Sequence, residues 1–123
     1  MAEVVNSEAV IGMLEIMTYP GKVLFDIGAT TSFMSKEFID ANGLECKTLA
    51  RPITIMSADG NTLVTQRRKQ QVLMICDNAY CVDLFMIPMK DIAIILGMDW
   101  LSYHGVQIDY GENTVALRVL NGN

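Results

Sequence analysis

The sequence predicts a mostly β domain: a small closed or partly closed β-barrel carrying one or two short helices. Three observations lead there. The chain has 123 residues, 51% apolar and 19% charged, the balance of a single folded unit rather than a disordered tail. Its apolar residues fall in short β-type segments separated by turn signals such as Pro20-Gly21, Asp59-Gly60 and Gly111-Glu112-Asn113. Helix signals occupy only two brief windows. A domain of this length hides roughly two thirds of its unfolded surface, so it stands without a disulfide or metal staple.

Taken in order, Val10 to Thr18 and Val23 to Phe25 read as a hairpin turning over Tyr19-Pro20-Gly21-Lys22. Ser35 has the hydroxyl of an N-cap for a helix through Ala41, and Asn42-Gly43 supplies the left-handed residue that ends it. Pro52 to Ala58 and Asn61 to Gln66 bracket Asp59-Gly60, a pair suited to a type I′ turn because both central residues need positive φ. Gln70 to Cys76 and Tyr80 to Ile87 form a third pair around Asp77-Asn78-Ala79. Ile92 to Leu96 is a continuous apolar run, the sign of a strand covered on both faces, and Gly97 breaks it. Met98 to Tyr103 is a second short helix stopped by Gly105; Val106 to Tyr110 and Thr114 to Val119 close the chain as a hairpin. The domain is expected over 10–120, with a loose N-terminal segment at 1–9 and a tail at 121–123.

Composition also narrows function. The net charge of -5 argues against a grip on nucleic acid by phosphate neutralisation, and the cluster Arg67, Arg68 and Lys69 is short enough to be a solvated strand or turn face. No apolar run nears the ~20 residues of a membrane helix, and Met1 to Ser7 lacks the basic start of a signal peptide, so a cytoplasmic protein with no membrane partner is expected. Cys76 and Cys81 could face each other across a hairpin. With Cys46 alone and His104 distant they complete no zinc site, so buried free thiols and no metal or cofactor are expected. His104, before Gly105, reads as a helix-end residue rather than a catalytic one.

Chemistry concentrates in Val23-Leu24-Phe25-Asp26-Ile27-Gly28-Ala29. A carboxylate directly after three large apolar residues is costly to bury unless its charge is stabilised or its proton shared. Gly28 and Ala29 are small enough to let the backbone turn sharply and leave room beside Asp26. Alone, this segment is equally an ordinary turn. Ile95-Leu96-Gly97-Met98-Asp99-Trp100-Leu101 alone is a core feature, and Asp59-Gly60, 33 residues beyond Asp26, alone is a hairpin.

Together and in this order the three segments resemble the retropepsin family, the aspartic proteases of retroviruses and LTR retrotransposons, and most closely the gypsy-type branch. The family's Asp-Thr/Ser-Gly-Ala stands here as Asp26-Ile27-Gly28-Ala29, followed by Thr31-Ser32-Phe33-Met34-Ser35; its hydrophobic-hydrophobic-Gly motif stands as Ile95-Leu96-Gly97. Ubiquitin receptors of the DNA-damage-inducible type also carry such a domain, but Met98-Asp99-Trp100-Leu101 is similar to the transposon branch. The resemblance implies an acid-protease barrel that is half of a two-fold dimer. Asp26 of each copy would activate water for attack on a peptide bond of an extended Gag-Pol-type polyprotein, in the cytoplasm or within retroelement particles. Two carboxylates at close range share a proton and titrate as a pair, the aspartic-protease dyad being the reference case, and mildly acidic solution should favour activity. It also implies a flap at Ser57, Ala58, Asp59 and Gly60 that closes over substrate.

Ile27 departs from the pattern. The usual hydroxyl there donates and accepts hydrogen bonds across the dimer, and a branched alkyl chain does neither. The alternative it leaves open is a catalytically silent module of the same fold, used for dimerisation or peptide binding.

Overall fold

The computed structural model describes residues 9–16, 19–57 and 60–117. Its strands are β1 (Ala9–Ile16), β2 (Tyr19–Asp26), β3 (Phe33–Ser35), β4 (Lys47–Ser57), β5 (Gly60–Ile75), β6 (Asn78–Ile87), β7 (Ile94–Leu96), β8 (Gln107–Asp109) and β9 (Thr114–Ala116). Two helices, α1 (Lys36–Ala41) and α2 (Met98–Tyr103), complete the set. Seven strands share one sheet in the order β1-β2-β7-β3-β6-β5-β4. Glu15 and Ile16 of β1 pair back onto Met74 and Leu73 of β5, so six strands close a ring and β4 hangs outside it. This is the partly closed barrel the sequence predicts.

The ring is filled by Ile16, Val23, Met34, Leu73, Leu84, Ile94 and Leu96, each almost wholly out of water. β7 lies between β2, to which it runs parallel, and β3, to which it runs antiparallel. That central position explains its uninterrupted apolar sequence. α1 begins as expected: the Ser35 hydroxyl accepts a hydrogen bond from the Phe38 amide at 3.1 Å, and Gly43 takes φ 63° beyond the C-cap.

Three turns fall elsewhere than the sequence suggests. Ile16 pairs with Tyr19, so the first hairpin closes ahead of Tyr19-Pro20-Gly21-Lys22 rather than over it, and Pro20 and Gly21 lie within β2. Gly21 serves packing instead: a Cβ there would come within 2.5 Å of Ile16 Cδ1 and 2.9 Å of Ala93 Cβ. Ser57 pairs with Gly60, which puts Gly60, at φ 120°, in the pair that closes the second hairpin. The third hairpin turns at Cys76 and Asp77, whose φ of 50° and 65° are those of a type I′ turn.

β5 is one 16-residue strand, bulged between Arg68 and Gln71, where two strands were expected. The Arg67-Arg68-Lys69 cluster is a strand face: Arg68 donates to the Glu45 carbonyl at 2.7 Å and to the Gln71 side chain. The expectation of buried thiols fails, because Cys76 and Cys81 are exposed and only Cys46 is half-buried, its thiol pushed up by burial. Cys76 and Cys81 do not oppose each other; Cys81 pairs with Val72 while Cys76 sits in the turn. Among the described residues no helix is long and apolar enough to cross a membrane.

Candidate active site

Asp26 is the last residue of β2, one step beyond the Phe25–Leu96 pair that ends the β2–β7 ladder. Half-buried, it leaves the sheet just as the chain turns through Ile27 and Gly28. The Gly28 amide donates to Asp26 Oδ1 at 2.8 Å, and the Ala29 amide to the Asp26 carbonyl at 3.2 Å. Those bonds fix one carboxylate oxygen and leave Oδ2 without a protein donor among the described residues.

The loop after Asp26 is fastened to the β7–α2 junction from a distance of more than sixty residues in sequence. Met98 and Asp99 amides donate to the carbonyls of Ala29 and Thr30, at 2.7 and 3.1 Å. Ser32 donates its hydroxyl to Asp99 Oδ1 at 2.6 Å and its amide to Asp99 Oδ2 at 3.1 Å, while its Oγ accepts from the Gly97 amide at 2.9 Å. Gly97 is the point of closest approach: a Cβ would stand 2.5 Å from the Thr31 carbonyl oxygen and 2.8 Å from that of Ala29. Only glycine fits there, for lack of space rather than for its φ of -96°.

Of the residues singled out from sequence, Ala29 is thus brought against Gly97, and Ile95 and Leu96 pair with Leu24 and Phe25, the two residues before Asp26. Ile27 is 43% exposed beside the carboxylate. Ser57 and Gly60 pair at the end of the β4–β5 hairpin; Ala58 and Asp59 lie outside the described residues, as does the Ser57 side chain. Behind that tip Met56 is 80% and Leu63 63% exposed, on the face opposite fully buried Val64. Sequence reasoning missed the Ser32–Asp99 lock. Neither residue is unusual alone, and the one available signal was that both lie within the paired motifs.

His104 is the C-cap of α2, its amide donating to the Trp100 carbonyl at 3.1 Å. Its ring is buried against Trp100 and Tyr80, and burial holds its pKa below the ordinary histidine value. It lies apart from the Asp26 turn in sequence and in hydrogen bonding. Among the described residues no group of three or more His, Cys, Asp or Glu is placed to hold a metal ion.

The fold finds counterparts. A family model described as retroviral aspartyl protease matches residues 1–123. Among solved structures, the retroviral protease-like domain of Ddi1 from Leishmania major superposes with a TM-score of 0.71 at 18% identity, covering 94% of this chain and 98% of that one. At that identity the likeness concerns the fold. A comparison with curated proteins finds no match.

Proposed function

The chain belongs to the retroviral aspartyl protease family, and from that premise we propose that it is a homodimeric aspartic endopeptidase with Asp26 of each copy as the catalytic pair. The observation that carries this reading is the fastened turn: a half-buried carboxylate with one oxygen held by the Gly28 amide and the other open, on a loop bonded to the β7–α2 junction. Water attacks a peptide carbonyl only if one group takes its proton while another polarises the carbonyl. Two carboxylates sharing a proton do both, and the chain supplies one such loop, so the second comes from a two-fold mate.

The β4–β5 hairpin is the flap of this reading. Its pairing is continuous from Ile53–Val64 to Ser57–Gly60, and its exposed Met56 and Leu63 offer apolar contact to an extended polypeptide. The substrate class is a polyprotein segment, and the gypsy-like motif wording supports a retroelement setting in the cytoplasm or in particles.

A digest of a peptide library at roughly pH 4 to 7, with and without a statine-type inhibitor, tests it. Inhibitor-sensitive cleavage that Asp26→Asn lowers by about 10²–10⁴-fold or more is expected. Cleavage indifferent to both would contradict it.

A second reading rests on Ile27: the catalytically silent module, used for dimerisation or peptide binding. Without the hydroxyl, a main-chain group left unpaired at a buried dyad would cost about 1–3 kcal/mol. Replacing Ile27 by Thr separates the two. A large gain in rate or dimer affinity assigns the difference to the missing hydroxyl, and no change rejects that explanation of the position.

A further inference from the structure

On the side of β6 that faces α2, the chain builds a groove that the proteolytic reading does not use. We infer that this groove, between α2 and the open edge of β6, binds an extended polypeptide segment through an arginine side chain. Phe85 donates its amide to the Ser32 carbonyl at 3.2 Å, and β3 covers β6 only from Phe85 to Ile87. Strand alternation therefore turns the main-chain groups of Ala79, Cys81 and Asp83 to the same side, where no strand lies alongside among the described residues. The Trp100 indole reaches that edge and donates to the Cys81 carbonyl at 3.1 Å, leaving its amide available.

The groove has a volume of about 670 Å³, and no Lys or Arg lines it. Its floor is aromatic: Trp100 and His104 have centroids 4.5 Å apart, and Tyr80 meets them edge-on at 5.8 and 5.3 Å. Tyr103, 78% exposed, stands against His104 at 4.9 Å as a wall. Asp83, an exposed residue, lines it with a carboxylate that accepts from the Gln70 amide and has no ion pair among the described residues, whereas both oxygens of Asp99 are taken up by Ser32 and the Trp100 amide. His104, 94% buried, has an Nδ1 with no hydrogen-bond partner there.

Charge and shape select the occupant. The exposed ring of Tyr103 and the Asp83 carboxylate of the same groove favour a planar cation, which stacks on the one and donates hydrogen bonds to the other. The open edge favours an extended backbone, adding main-chain hydrogen bonds in the manner of a strand. An anionic or purely aliphatic segment would leave the Asp83 carboxylate without an ion pair and gain only the apolar floor.

The test is an amide-resolved NMR titration of the full chain with the blocked pentapeptide Thr-Val-Arg-Val-Thr, alongside the same peptide with citrulline for arginine. Shifts at the amides of Ala79, Cys81 and Asp83 and at the indole of the only tryptophan are expected, with citrulline at least about ten-fold weaker. Tyr103→Ala, at an exposed position, and Asp83→Asn, which keeps the acceptor for the Gln70 amide, should each weaken binding several-fold. Equal binding of the two peptides, shifts spread over the acidic surface, or shifts confined to Ile27 and Gly28 would overturn the proposal. So would concentration-dependent shifts at the same amides without peptide, which would give the groove to a second copy.

Discussion

The Asp26 loop and the β4–β5 hairpin are both turns, built on opposite principles. The loop is held by hydrogen bonds spanning 65 and 67 residues of sequence, with a glycine that leaves no room to move. The hairpin is held by its own local ladder and carries exposed apolar side chains. The first arrangement suits groups that must stay within a fraction of an ångström of a reacting bond; the second suits a surface that rearranges around varied substrates.

Breaking the loop should have the largest effect. Gly97→Val drives a branched side chain into two backbone carbonyls, which cannot yield as a side-chain tip would. A loss of about 1–3 kcal/mol or more in a urea titration is expected, with cleavage lost in step. Ser32→Ala is milder. It leaves the Gly97 amide unpaired and should cost about 1–3 kcal/mol while lowering kcat more than it raises KM. Replacing Met56 and Leu63 by Ser should leave stability within about 0.5 kcal/mol and raise KM several-fold. A stability loss with unchanged KM would erase the contrast between the two regions.

The smallest expected effect concerns acid. Burial holds the folded-state pKa of His104 low, so the unfolded chain takes up that proton first. Stability should therefore fall as pH drops below about 6.5, through the window ending at the depressed folded value. Urea midpoints at about pH 7.5 and about pH 5 should fall further for the parent than for His104→Phe; equal falls would contradict this. The acid that suits a shared-proton carboxylate pair thus works against α2, at the opposite end of the Ser32–Asp99 link.

Much of this was legible in the sequence where local chemistry decides the outcome. Ser35 as cap, Gly43 as stop and the apolar run through Leu96 each have one sterically sensible reading, and each is found. Pro20-Gly21 and Asp59-Gly60 misled because a glycine serves packing or a closing pair as readily as a turn. Cys76 and Cys81 misled because burial depends on which side of a hairpin faces the ring. At the site, the motif order located Asp26 and Gly97, but the Ser32–Asp99 lock joins two ordinary residues through tertiary contact. No local pattern announces it.

The central claim is that two copies of Asp26 make one working pair, and a mixing experiment tests it most directly. Parent chain at fixed concentration is mixed with increasing Asp26→Asn chain, at concentrations where sedimentation shows dimers. If the pair is shared between copies, cleavage falls with the parent fraction, to about one tenth at a roughly nine-fold excess. Cleavage that stays constant at every ratio would mean that a single copy suffices and would contradict the account.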